Sequence, residues 1–332
     1  MSDLAVPGRR AARRGRLGTE SVPAAEPPDA RRALQLGLAG ISLLDALLQY
    51  QPVMFSRTFG QMLAETAAGN PGFIARPIAW DATLVQQHAV ALNAVFATVQ
   101  LLLGLGIAFR PLTRLALAAS VAWSLAVWWL GEGLGGVLNG TANPVSGAPG
   151  AVILYALLAV LLWPADRVES PPFTAARAVG VRTAQGLWLV LWLSLAWFAL
   201  LPANRAPLAL HDLLAGQADG QPGWLAGIEN GAASAVGSHG LAASIVLAVA
   251  CVLIAAGVFL PRPAARAAVV LALVVAAVLW VAGQAFGMIL AGGATDPNTG
   301  PLLALIALAY WPATPRVAEP GVAGPSVETP AS

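Results

Sequence analysis

The sequence predicts an all-α integral membrane protein of eight transmembrane helices, arranged as two four-helix units repeated in parallel about a pseudo-twofold axis along the membrane normal. Three observations predict it. Of the 332 residues, 58% are hydrophobic and only 10% are charged, against roughly 25% charged in an ordinary soluble domain. The apolar residues gather into runs near the length of about 20 residues that a bilayer span requires. The second half of the chain also repeats spaced features of the first, four spans to each copy, and an even number of spans gives both copies the same orientation.

Taken in order, residues 1–32 form an Arg-, Pro- and Ala-rich tail with no apolar face to bury, and disorder is expected there. The pairs Arg9-Arg10 and Arg13-Arg14 suit a solvated tail or transient contact with anionic lipid. No cleaved signal peptide is expected, because the first apolar run begins only after Arg32 and lacks a bounded cleavage site. The first unit, 33–164, holds spans near 33–54, 86–109, 112–131 and 148–163. A cytoplasmic linker follows at 165–181. The second unit, 182–312, holds spans near 183–201, 239–260, 264–284 and 299–312, and a Pro/Gly/Ala tail at 313–332 closes the chain. All 18 basic residues are Arg, which codon usage explains as well as any physical demand, and 15 of them fall on one side if the N-terminus lies inside. By the positive-inside rule both termini are cytoplasmic, and a bacterial plasma membrane is the expected location.

The repeat rests on particular residues. At an offset of 150, Arg32, Gln35 and Pro52 meet Arg182, Gln185 and Pro202; at 151, His88 meets His239; at 152, Trp128, Gly131, Glu132 and Gly135 meet Trp280, Gly283, Gln284 and Gly287. Each copy closes on Trp-Pro, at Trp163-Pro164 and Trp311-Pro312. In each copy Phe59, Met62 and Leu63, or Leu210, Leu213 and Leu214, recur at helical spacing in the first external loop and suggest a short interfacial helix. The fourth span of each copy is too short for a hydrocarbon core of about 30 Å. The Gly-rich loop before it, 128–150 in the first copy and 280–301 in the second, is therefore expected to line an outward vestibule, since irregular backbone at depth needs protein or water around it. The free amides at the start of the fourth helix would there favour an anion or carbonyl oxygen.

Polar residues inside spans are costly in lipid and are the candidates for function. Asp45, placed near the middle of the first span, faces the apolar Leu195 in the repeat; it reads equally as a proton-carrying or ligand-binding carboxylate and as a protonated Asp bonded to a neighbouring helix. Asn93 and Gln100, seven apart, share a helix face, and interhelical hydrogen bonding accounts for them. Glu132 ends the third span, with Gln284 in its place in the repeat. Trp128 and Trp129 suit an interfacial aromatic belt or stacking on a flat ligand. His88 and His239 begin matching helices and would hold a metal or haem iron only if the pseudo-axis brought them together; ordinary interfacial His is the better account, and haem is not expected. Cys251 is the only cysteine, which excludes disulfides and Cys-rich metal sites within one chain. No P-loop, dinucleotide fingerprint or nucleophile triad is present, and no nucleic-acid partner is indicated.

With four spans, an amphipathic external segment after the first, and LLLGLGIAFRPLTRLALAAS at the second turn, answered by LIAAGVFLPRPAARAAVVLAL in the second copy, the chain resembles the DoxX/DoxD superfamily of bacterial membrane proteins. The resemblance covers 33–164 and 182–312 and implies a tandem duplication of a unit usually found once. It implies a quinone-associated subunit of a membrane redox complex, with quinone as cofactor and other redox subunits as partners alongside the lipid bilayer; no catalytic residue carries over. From the residues themselves two further classes stand beside it: a carrier for a small solute or lipid, and an assembly partner without chemistry of its own.

Overall fold

The computed structural model describes residues 29–168 and 170–313; the Arg9-Arg10 and Arg13-Arg14 pairs and nearly all of both expected tails lie outside them. The described residues are helical with no strand. The first half contains α1 (Ala30–Leu48), α2 (Arg57–Glu65), α3 (Gly72–Gln87), α4 (Ala89–Ala108), α5 (Thr113–Leu130) and α6 (Ala151–Leu161). After α7 (Thr174–Val179) come α8 (Val181–Ala199), α9 (Ala209–Gln217), α10 (Gly223–Val236), α11 (Gly240–Gly257), α12 (Arg262–Val278, prolonged by a π turn, Leu279–Gly283) and α13 (Thr299–Ala309).

Among the described residues four helices are long and apolar enough to cross a membrane: Ala89–Ala108, Arg110–Leu130, Gly240–Gly257 and Arg262–Gly283. Helices α1 and α8 have 19 residues each but are less apolar, the first carrying Arg31, Arg32 and Asp45 and the second Arg182 and Gln185. Helices α6 and α13 have 11 residues each, about 16 Å at 1.5 Å per residue. They pack on one another, on α5 and α12 respectively, and α13 also on α1. Leu158, Leu161, Leu302 and Ile306 are wholly buried there. A helix enclosed by protein need not match the hydrocarbon thickness, because its ends are satisfied by protein groups rather than by headgroup water.

Several boundaries differ from the sequence expectation. The first external segment holds two helices, α2 and α3, instead of one; α3 runs to Gln87, and His88 breaks the chain before α4, so the second apolar helix starts at Ala89. The expected linker 165–181 contains α7, whose Ala175 and Ala176 are fully buried beside Phe173, and the Phe173 ring packs 4.9 Å from that of Tyr310. Arg31 and Arg32 belong to the first turn of α1 rather than to the tail, capped by Asp29. Their guanidinium groups explain why. Arg31 donates to the carbonyls of Trp163 and Ala165 and pairs with Asp166 at 3.1 Å, while Arg32 donates to the carbonyls of Ile107 and Ala108. Gln35 adds a bond to the Leu162 carbonyl at 2.8 Å. The orphan carbonyls that end α4 and α6 are thereby satisfied from α1.

Where α4 turns into α5, and α11 into α12, a glycine faces an alanine. A Cβ on Gly106 would lie 2.8 Å from the Ala116 methyl, and one on Gly257 would lie 2.0 Å from that of Ala268. Small residues permit such close helix approach in lipid. Gly257→Ala is expected to destabilise the protein by about 1–3 kcal/mol through overpacking. Gly186→Ala, where nothing lies within 4 Å, is expected to stabilise it by about 0.5 kcal/mol; denaturant unfolding in detergent compares the two.

Candidate functional site

The Gly-rich loops do not hang free. Trp128 donates its indole N–H to the Pro149 carbonyl at 2.7 Å, and Trp280 donates to the Pro297 carbonyl at 2.9 Å. Beneath each bond the chain passes so closely that only glycine fits: a Cβ on Gly135 would lie 2.0 Å from the Pro149 carbonyl oxygen, and Gly135 has φ +63°. The residue after the third long helix then turns back to cap the short fourth one. Glu132 accepts from the amides of Ala151 and Val152 through Oε1, at 3.0 and 3.2 Å. Gln284 accepts from the Gly300 amide at 3.2 Å and donates to Thr299 Oγ1 at 2.8 Å. The helix-start amides expected to attract an anion are thus already occupied by the protein's own side chains, and the expected anion site is withdrawn.

Below these loops lies a cavity of about 280 Å³ between α1, α2, α3, α4 and α5, with α6 and the 295–296 turn closing it. Its wall carries four carboxyl groups, Asp45, Asp81, Glu132 and Asp296, together with Gln49, Gln100 and Tyr155. Phe59, Phe96 and Trp123 form an aromatic side, Phe96 packing 6.3 Å from Phe59 and 5.8 Å from Trp123. Asp45 sits in the last turn of α1, not mid-span, because the helix ends at Leu48; its Oδ2 accepts from the Tyr155 hydroxyl at 2.5 Å. Four buried oxygens on this wall have no partner among the described residues: Asp45 Oδ1, Gln49 Oε1, Gln100 Oε1 and Glu132 Oε2. No Arg or His of the described residues lines it. Burial pushes the Glu132 carboxyl up to about 8, with the Asp296 charge adding to the effect and the two amide bonds opposing it. Asp296 is also raised by burial, although Thr295 and the Asn298 amide bond it.

Glu132, Asp296, Thr66 and Gly131 also line a more open, polar space of about 360 Å³, walled by both Gly-rich loops through Gly136, Ser146 and Asn298. At the opposite end, Asp45, Gln100 and Tyr155 border a small void with Ser42, Ser120 and Ser124. A chain of polar groups therefore runs from the loops through Glu132 and Asp296 to Asp45 and on to the serines.

No family model, curated protein or solved structure matches the chain. The internal comparison between its halves is the informative one. The second half has a cavity of about 350 Å³ between α8, α9, α10, α11 and α12. Residues 151 or 152 positions further along the chain line it: Leu210 for Phe59, Ala232 for Asp81, Leu247 for Phe96, Val275 for Trp123. Asn143 and Val145, from the first loop, line the second cavity, just as Thr295 and Asp296, from the second loop, line the first. The two loops also touch, through a bond from Asn298 to the Ser146 carbonyl at 3.4 Å, and are held by Gln51, which donates to the Ala294 carbonyl at 2.9 Å, and Asn204, which donates to the Ala142 carbonyl at 2.8 Å.

Of the residues singled out from the sequence, Asp45, Gln100 and Glu132 meet in the acidic cavity. Asn93 does not; it donates to the Gln49 carbonyl at 2.7 Å and closes the end of α1. Gln284 is a helix cap, Trp128 a loop fastener, and Trp129 is largely exposed outside the cavity. His88 and His239 both sit exposed at helix starts, and no group of three His, Cys, Asp or Glu residues is placed to hold a metal among the described residues. Asp296, Tyr155, Gln49 and Asp81 were not singled out. Tyr155 had a signal, a lone phenol in an apolar helix where the repeat has Leu303. Asp296 had none, because the loop of the second half is shorter and the repeat register is lost there.

Replacing Glu132 tests the cap. Glu132→Gln copies the arrangement at Gln284 and is expected to change stability by less than about 0.5 kcal/mol at pH 5, whereas Glu132→Ala leaves two buried amides unsatisfied and is expected to cost about 1–3 kcal/mol. Because the native carboxyl is raised from 4.5 to about 8, the folded state holds the proton more tightly than the unfolded chain. Its contribution is full below about pH 4.5 and is lost as pH rises towards 8, so wild type is expected to lose stability relative to Glu132→Gln across that window in denaturant titrations.

The Asp45–Tyr155 pair behaves differently. Asp45→Leu strands the Tyr155 hydroxyl and is expected to cost about 1–3 kcal/mol, while the double variant Asp45→Leu/Tyr155→Leu, which adopts the residues of the second half, is expected to recover most of it. The same unfolding measurement reads both.

Proposed function

We propose that the protein is a multi-pass membrane carrier for a small solute, with eight membrane helices in two parallel four-helix units about a pseudo-twofold axis, both termini cytoplasmic in a bacterial plasma membrane. The observation that carries this reading is the acidic cavity: four carboxyl groups and four unpartnered buried oxygens around a space of about 280 Å³. Pockets for small ligands start near 300 Å³, so the cavity suits a solute of few heavy atoms. Buried ionisable groups in a membrane protein mark substrate or ion pathways. Entry is through the loop-lined polar space and exit past Ser120 and Ser124. A quinone-associated redox subunit, the expectation from the DoxX/DoxD resemblance, draws less support from the cavity, whose four carboxyl groups suit a cationic or protonatable solute better than a neutral quinone.

Substituted cysteines in a Cys251→Ser background test the carrier and its orientation. In sealed proteoliposomes, Thr66→Cys is expected to react with an impermeant maleimide from the extracellular side and Ser124→Cys from the cytoplasmic side, each protected when the other is exposed. Ser124→Cys unreactive from both sides under all conditions would instead describe a closed receptor or scaffold. Reporter fusions at both termini are expected to read cytoplasmic.

A further inference from the structure

We propose that the acidic cavity binds a small organic ammonium ion, an amine carried on an apolar body, and does so in exchange for a proton. The identification of the solute rests on the carrier reading only for what the exchange achieves; binding itself stands on the cavity.

The groups facing the cavity are one-sided. Asp45, Asp81, Glu132 and Asp296 supply the carboxyls, Tyr155 already donates to Asp45, and no cationic side chain balances them among the described residues. Asp45 Oδ1 and Gln49 Oε1 belong to side chains only 5% and 3% exposed and have no partner among the described residues. Buried oxygens without donors are costly, and a ligand with several N–H donors would satisfy them. An ammonium group brings three donors and the opposite charge, and a buried carboxylate is tolerated when it is paired and hydrogen-bonded. A bare metal ion fits poorly, because the carboxyls are spread along the wall and nowhere form a cluster placed to hold a metal among the described residues. The aromatic side of Phe59, Phe96 and Trp123 instead suits an apolar body and adds attraction for a cation over a ring face.

The architecture does not require all of these acids. Where the first half has Asp45 and Asp81, the second has Leu195, buried in the core, and Ala232, on the wall of its own cavity. The chemistry is therefore additional to the fold.

The exchange balances simply. An ammonium ion enters, the O–H bond of a neutral cavity carboxyl breaks as its proton forms a new O–H bond with water in the loop-lined space, and the carboxylate so formed pairs with the ammonium; no other covalent bond forms or breaks. The raised affinity of Glu132 and Asp296 for protons, both at the mouth, is consistent with their holding the exchanged proton.

Calorimetric titration of the full-length protein in nanodiscs with 2-phenylethylamine, against 2-phenylethanol and 3-phenylpropionate of similar shape, tests the proposal. The amine is expected to bind at least tenfold more tightly than either, to release a proton as read by the dependence of the heat on buffer ionisation, and to lose at least tenfold in affinity in Asp45→Asn and in Glu132→Gln. Glu132→Gln keeps the cap, so loss of binding there is not loss of folding; a thermal melt of each variant confirms it. Equal binding of amine and alcohol, or binding unchanged in both variants, overturns the ammonium site. Amine binding without proton release overturns the exchange. Alternating labelling at Thr66→Cys and Ser124→Cys with no amine binding leaves the carrier standing and removes the ligand class, whereas amine binding without alternating labelling does the reverse.

Discussion

The capping of two short central helices by side chains from the preceding loops is the constraint from which the remaining geometry follows. Helices α6 and α13 begin inside the protein, where a free amide has no water to turn to. Glu132 and Gln284 supply the acceptors, and the indoles of Trp128 and Trp280 pin the chain one turn earlier. Both loops must then fold inward over the helix starts, which brings Asn298 against Ser146 and gives each half's cavity a wall from the other half's loop. A carboxylate doing this work in one half and an amide in the other shows that the cap needs an acceptor and not a charge.

Much of this architecture is legible in the order of residues, because the signals are long. Apolar runs and the Trp-Gly-Glu/Gln-Gly spacing each extend over many residues and tolerate local error. The site is legible only in part. Asp45, Glu132 and Gln100 declare themselves by cost, being polar where lipid-facing residues should be, and they do meet. Gln284 and Asn93 have the same appearance but spend their hydrogen bonds on helix ends, and nothing in one-dimensional order separates a polar residue that caps from one that faces a space. Trp128 misleads for the same reason, since an indole in an aromatic belt and an indole bonded to a loop carbonyl 21 residues away are spelled alike.

Asp296 shows the limit more sharply. Its role depends on a loop crossing from one half to the other, and the offset between the halves contracts from 152 at Trp128 and Trp280 to 148 at Trp163 and Trp311. Register is lost in just the segment that makes the crossing. The contrast of Asp45 and Glu132 with Leu195 and Gln284 therefore does not place the whole site in the first half: the acidic cavity takes one of its four carboxyls, Asp296, from the second.

The comparison of the two halves also bears on why the acids are there. A buried carboxyl without full hydrogen bonding carries a cost of several kcal/mol in a low-dielectric site when ionised, and the wall of the first cavity carries four. The fold depends on one of them as a cap, and there the second half keeps a polar group, Gln284 for Glu132. At Asp45 and Asp81 it shows Leu195 and Ala232 instead, and it packs Ala248, Ala272 and Leu279 into the same continuous core. Identical helical scaffolding thus closes over an apolar space in one half and an acidic one in the other. Local rules of burial are broken in the second half as well, by Glu229, buried with neither carboxyl oxygen partnered among the described residues, but in the first half such groups gather on the wall of one cavity, and a concentration of that kind is where function is to be sought.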